Sequence, residues 1–261
     1  MDDSLIERRE YKYVISEAQA AAVRRYIEPY CVVDPFAAKY GGEYTIESLY
    51  VDSPGLKLYK ANDVEDPNRF KLRIRHYPRT VGGPHFLEVK RRIRDVVSKS
   101  RALINGDWRT VLEHPSDLSP ITFRDKDEGN VRRFLSYYTM LHCRPVVAVR
   151  YDREPYFSPT DDYARVTFDR RVRYREVNDL HSSSVPAWRR VDDPVAMRTT
   201  SLESMVVLEL KFVAQIVPHW LIGLVSRLNL DRQSFSKYGR SVESLKWVPS
   251  SFRIPHLRES A

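Results

Sequence analysis

The chain has only two cysteines, Cys31 and Cys143, and neither sits in a metal-binding or redox spacing. This excludes a disulfide framework and makes the cytoplasm the expected compartment. No apolar run approaches the roughly 18 residues of a membrane-spanning helix, so none is expected. The opening MDDSLIERRE is acidic and then charged, without the apolar core of a secretory signal. Low-complexity tracts and internal repeats are missing too. The hydrophobic residues that remain, 42% of 261, suffice for a sizeable core. A single domain over 1–245 is expected, with 246–261 as a peripheral tail. Lys and Arg outnumber Asp and Glu by 43 to 35, a formal +8. An anionic partner fits that balance, but nucleotide, phosphate polymer, nucleic acid and membrane surface all remain open.

The distribution of charge is more informative than its sum. In Arg69–Tyr77, RFKLRIRHY, the cations Arg69, Lys71, Arg73 and Arg75 alternate with Phe70, Leu72, Ile74 and His76. Period-two alternation predicts a strand with one charged and one apolar face. The next run, HFLEVKRRIR, puts Glu88, Lys90 and Arg92 on one face. The turn Val81-Gly82-Gly83-Pro84 between them predicts adjacent strands. The pattern recurs in the first strand with Glu10 and Lys12, in 163–175 with Arg165, Thr167, Asp169 and Arg171, and in 205–212 with Glu209 and Lys211. Further strands are expected at 44–52 and 144–151, and a strand-to-helix stretch at 98–112. Ser16 and Gln19 have capping-box spacing ahead of a helix that ends near Pro29, with Ala20, Val23 and Ile27 on its buried stripe. Helical periods also mark 130–141 and 218–228. Many strands with few crossover helices predict an antiparallel sheet or barrel.

One charged strand face ordinarily meets water. Five such faces with carboxylates at matching parity admit a second reading, in which the charged faces turn inward and the helices cover an apolar exterior. Clustered cations repel one another, and a triphosphate would convert that repulsion into charge-assisted hydrogen bonds. Arginine supplies bidentate contact and lysine a mobile point charge. Glu10, Glu88 and Glu209, each on the charged parity, are candidates for a divalent cation bridging the phosphates; their alternative is salt-bridging to neighbouring Lys or Arg.

At these residues the sequence resembles the VTC-type domains, the polyphosphate polymerase branch of the triphosphate tunnel metalloenzymes, also grouped with CYTH proteins. EYKY at 10–13, SLYVD at 48–52, RFKLRIRHY at 69–77, FLEVKRR at 86–92, VAVRYDREPY at 147–156, RVTFDRRVR at 165–173, LELKF at 208–212 and FSKY at 235–238 carry the resemblance, in the family's order. It implies a mainly antiparallel β fold with peripheral helices, closed as an eight-stranded tunnel barrel. It also implies Mn²⁺ or Mg²⁺, ATP or another triphosphate, and inorganic polyphosphate as product. Carried across, Lys12, Arg73, Arg75, Lys90, Arg150 and Lys237 resemble the catalytic cations. Lys71, Arg165, Lys99 and Lys211 resemble substrate-binding ones, and Glu209 the metal ligand. Many members begin Glu-x-Glu-x-Lys; here the first position is Arg8, followed by Glu10 and Lys12. That departure leans toward polymerisation and away from a two-metal hydrolase.

Polymerisation is therefore the leading expectation. A metal-dependent tripolyphosphatase or nucleoside triphosphatase is the alternative, and a non-catalytic polyphosphate or nucleic-acid binder a third. Nucleic acid is not expected, because the aromatics lie mainly on the parity opposite the cations. No histidine takes an obvious charged-parity position: His76 is on the apolar parity and His219 falls in a helix.

Overall fold

The computed structural model describes residues 8–78, 83–94, 96–161, 163–181, 186–191 and 205–247. Eleven strands alternate unevenly with seven helices among these residues. The strands are β1 (Arg8–Ile15), β2 (Val32–Val33), β3 (Tyr44–Asp52), β4 (Asn68–His76), β5 (His85–Ile93), β6 (Val96–Gly106), β7 (Ile121–Phe123), β8 (Arg144–Phe157), β9 (Arg165–Glu176), β10 (Arg189–Arg190) and β11 (Val206–Val213). The helices are α1 (Glu17–Ile27), α2 (Pro35–Ala38), α3 (Lys57–Asp63), α4 (Trp108–Glu113), α5 (Glu128–Met140), α6 (His219–Arg227) and α7 (Lys237–Trp247). Val81 and Gly82 of the expected turn and nearly all of the expected tail lie outside the described residues. No helix among those described is long and apolar enough to cross a membrane.

All strands join one sheet in the order β1-β11-β9-β8-β3-β4-β5-β6-β7, with β10 appended to β9 and β2 to β8. Every pairing is antiparallel. The expected closed eight-stranded barrel is not formed. The sheet is open, ending at β1 on one side and β7 on the other. Each edge has a partial occupant. Strand β6 pairs Ile104–Gly106 with β7. Beside β1, the 232–236 segment takes backbone positions instead: Gln233 N donates to Lys12 O at 3.0 Å. The sheet still curls far enough for side chains to meet across the gap, with Lys90 Nζ on β5 3.0 Å from Glu10 on β1.

The convex face is apolar and carries helices. Helix α1 starts with the capping box expected at Ser16 and Gln19. Its Ala20, Val23 and Ile27 pack with Leu208, Leu210 and Phe212 of β11 and with Leu221 and Leu224 of α6. Helices α4 and α5 cover β4, β5 and β6 through Trp108, Val111, Phe134 and Leu135 on Leu72, Ile74, Leu87 and Val89. One helix breaks this rule. Helix α7 enters the concave side, where Tyr238 and Val242 bury Ile46, Val147, Val149, Val172 and Tyr174.

The alternation on β9 is interrupted. The β8–β9 register shifts between Arg150 and Asp152, and Arg171 adopts a left-handed φ of 50°. This bulge turns Arg171 away from the face of Thr167 and Asp169, onto which it had been placed by simple alternation. Its guanidinium instead reaches Asp152 and Glu43, 2.6 and 2.7 Å away.

Asp52 ties α7 to the sheet. It is fully buried and accepts from the backbone N–H groups of Ser53, Leu58 and Tyr59 and from the Tyr238 hydroxyl at 2.6 Å. Its carboxylate thus serves the first turn of α3, which has no side-chain cap of its own at Leu56. Asp52→Ala leaves these buried donors without an acceptor, which costs about 3 kcal/mol or more. Urea unfolding at neutral pH should show this as a lower midpoint with an unchanged slope; an unchanged midpoint would contradict the role.

Candidate functional site

The charged parity of β1, β4, β5, β6 and β11 meets inside the curl. There it lines a cavity of about 500 Å³ whose wall carries ten Lys and Arg side chains against two Glu. The cations are Arg9, Lys12, Lys71, Arg73, Arg75, Lys90, Lys99, Arg153, Lys211 and Lys237; the carboxylates are Glu10 and Glu209. Tyr50, Tyr151, Tyr163 and Tyr238 complete much of the rest. A second cavity of about 280 Å³ shares Glu10, Lys12, Lys71, Lys90, Val97 and Ser236 with the first and adds Arg69, Arg92 and Arg232.

Buried carboxylates hold these cations in place. Glu88 has no exposure and is clasped by Arg73, Lys99, Arg101 and Arg75 at 2.6, 2.9, 3.4 and 3.6 Å. Burial would raise its pKa, but Arg73, Arg75 and Lys99 together hold it far below the carboxylate range. Asp169 accepts from Arg153 at 2.7 Å and lies 2.5 Å from Lys237. Glu209 meets Arg153, Lys211 and Lys237 at 3.0, 3.1 and 3.1 Å. Burial favours its neutral form, and Lys237, Lys211 and Arg153 outweigh that. Burial likewise opposes charge on Lys237, yet Asp169 and Glu209 raise its pKa above the ordinary lysine value.

Other lysines are shifted the opposite way. Burial, with Lys12, Lys90 and Arg73 nearby, pushes Lys71 well below its ordinary value. Its Nζ donates to Ser236 Oγ at 2.9 Å. Lys90 is lowered by burial and Lys12 against the pull of Glu10. Lys99 is lowered to about 7 by its place in the wall and by Arg75 and Arg73, with Glu88 opposing. An anion in the cavity would favour the protonated form of each of these lysines.

Most of the cations singled out from the sequence come together here, but three placements differ. Arg150 is not in the wall. It lies on the opposite face of β8, bound to Glu47 at 2.7 Å and set over the Trp188 ring. Arg153, three residues on, takes the inward position beside Tyr151. Arg165 is exposed at the start of β9, over the ring of Tyr163, and does not line the cavity. Glu88, a candidate metal ligand, is enclosed by its cations and is not part of the wall. Sequence reasoning missed Arg153, Arg9, Ser236 and the structural role of Asp169. Parity on β8 could have indicated Arg153, had Tyr151 been recognised as inward.

No group of three potential metal ligands occurs among the described residues. Two carboxylates in the wall still have the right chemistry: Glu10 and Glu209 are both held ionised by nearby lysines. The Lys12 ammonium lies between them, 3.3 Å from Glu10 and 3.8 Å from Glu209. A cation already occupies that position, and Mg²⁺-type ions commonly use one or two carboxylates plus substrate phosphates.

The VTC domain model matches residues 7–246, so the chain belongs to the VTC family, within the CYTH-like superfamily of proteins acting on triphosphates. A Hippeastrum protein described as an adenylyl cyclase candidate with dominant triphosphatase activity shares the fold at a TM-score of 0.50 and 12% identity, over 91% of this chain and 96% of that one. A candidate adenylate cyclase of Bacillus halodurans aligns at 0.48 and 10% identity, over 88% of this chain and 96% of that one. No curated protein sequence matches.

The lowered lysines set a pH dependence. A bound polyanion favours the protonated amines, so binding takes up protons and affinity falls as pH rises above about 7, the Lys99 value. Each proton taken up costs about tenfold in affinity per pH unit. Calorimetric titration of tripolyphosphate from pH 7.5 to 9, in buffers of different ionisation enthalpy, should show this uptake, and Lys99→Met should reduce it. Proton-neutral binding would overturn the assignment.

Proposed function

We propose that this chain is a metal-dependent polyphosphate polymerase, moving the γ-phosphoryl group of ATP onto the end of a growing inorganic polyphosphate. The observation that carries the reading is the pairing of two cation-lined cavities through common walls at Lys12, Lys71 and Lys90. A single triphosphate would need only the first. A lengthening polyanion would use both, the second through Arg69, Arg92 and Arg232.

Arg73, Arg75, Arg153 and Lys237 would grip the triphosphate. Their carboxylate partners fix them beforehand, so little reorganisation accompanies binding. Lys12, Lys71 and Lys90 stand where the two cavities meet and would neutralise charge on the acceptor end. With the Lys12 ammonium moved from between them toward the acceptor end, Glu209 and Glu10 would hold Mn²⁺ or Mg²⁺, which when bound offsets charge on phosphate oxygens. No histidine lines either cavity. A terminal phosphate oxygen is already ionised and needs no base, whereas attack by water benefits from one. Arg8 in place of the family's first glutamate supports the same choice.

Incubating the purified protein with ATP and Mn²⁺ should give long polyphosphate and ADP. Orthophosphate without chains would instead identify a triphosphatase. Glu209→Gln should lower turnover by about 10²-fold, comparable to removing one preorganised electrostatic group, while tripolyphosphate still binds. Unchanged turnover would remove Glu209 from the mechanism.

A further inference from the structure

A third cavity, of about 410 Å³, lies on the reverse of the strands that carry the triphosphate cations. Its floor is Leu49 on β3, Ile74 on β4 and Ala148 on β8, and α4 contributes Trp108 and Arg109. Leu49 and Ile74 alternate with Tyr50, Arg73 and Arg75, which line the first cavity, so the two spaces occupy opposite faces of one sheet.

The chemistry of this wall differs from the first. Its charges are matched. Arg175 is paired with Glu47 at 3.3 Å, Glu47 also accepts from Arg150, and Arg109 shares the wall with Glu176 and Asp179. His76 is pushed toward its neutral form by burial, which Glu47 opposes and Arg150, Arg109 and Arg175 reinforce. There is no surplus positive charge to attract a phosphate. Flat groups are concentrated instead: the Trp108 ring lies 5.6 Å from His85, and the Arg109 guanidinium sits 4.6 Å over it. Trp108 is 6% exposed, and its Nε1 has no acceptor among the described residues. Arg175 Nε is likewise buried without one. An apolar floor, aromatic and guanidinium planes, and buried donors lacking an acceptor are the makings of a small-molecule site.

We infer that this cavity binds a neutral planar heterocycle of the nucleoside class, carrying at least one hydrogen-bond acceptor. The apolar floor would take the ring, and the Trp108 indole, whose Nε1 is covered here, would turn to donate to the acceptor. Charge separates the two sites by ligand: the first selects polyanions, the second an uncharged ring. Both can be filled at once because the sheet lies between them.

Adenosine is the probe. Calorimetry on the full chain, with and without saturating tripolyphosphate, should give one adenosine site per chain and the same affinity in both. Ala148→Phe, which fills the floor, should weaken adenosine at least tenfold and leave tripolyphosphate binding unchanged. Should that variant fold poorly, the unmodified protein still gives an answer. In ¹H–¹⁵N spectra the Trp108 indole resonance, assigned by its loss in Trp108→Phe, should move downfield as adenosine saturates the site. No saturable binding up to about 10 mM, beyond the useful range of a specific site, would overturn the inference. So would an unmoved indole resonance, or displacement of adenosine by tripolyphosphate, which would assign it to the first cavity.

Discussion

Repulsion among cations is the constraint on which this structure turns. A sheet that curls its basic faces inward raises its own electrostatic energy as the curl tightens. Glu88 and Asp169 relieve that energy from beneath the wall and Glu209 from within it, each touching at least two cations. Neutralising one of them would leave buried guanidinium or ammonium groups uncompensated, a loss of the order of 3–5 kcal/mol for a buried pair. The compensation is also incomplete by construction. Ten wall cations face two wall carboxylates, and the remainder is relieved by depressed lysine pKa values. The same imbalance is what a phosphate polyanion in the cavity would relieve.

Much of the wall was legible because alternation is a local property. On β4 and β5 the charged parity is the inward parity without interruption, so Lys71, Arg73, Arg75 and Lys90 could be read as one face from the sequence. The α1 cap was equally local, since Ser16 and Gln19 sit three residues apart. The convex helices followed from the same pattern, as an apolar exterior has to be covered.

What escaped the sequence was set by contacts distant along the chain. On β8 the inward face is apolar at Val147 and Val149 because α7 fills that end of the curl. Charged parity there points outward, which carried Arg150 to Glu47 and left Arg153 hidden behind a valine pattern. On β9 a bulge at Arg171 reverses parity midway. Along the edges that do not join, β7 takes the end of β6 at Ile104–Gly106, and the 232–236 segment, more than two hundred residues from β1, bonds Lys12 O. No strand pattern encodes either occupant.

The seam has a mechanical meaning. A barrel closed by backbone ladders has a circumference quantised by strand number and register, and widening it breaks hydrogen bonds along a whole strand. Here β1 meets β5, two strands in from the other margin, through an ammonium–carboxylate contact, Lys90 with Glu10 at 3.0 Å. Such a fastening is elastic: its length changes by fractions of an ångström at little cost, and mobile ions weaken it as ionic strength rises. Ionic strength, and the charge of whatever lies within the cavity, therefore act directly on the contact that spans the gap.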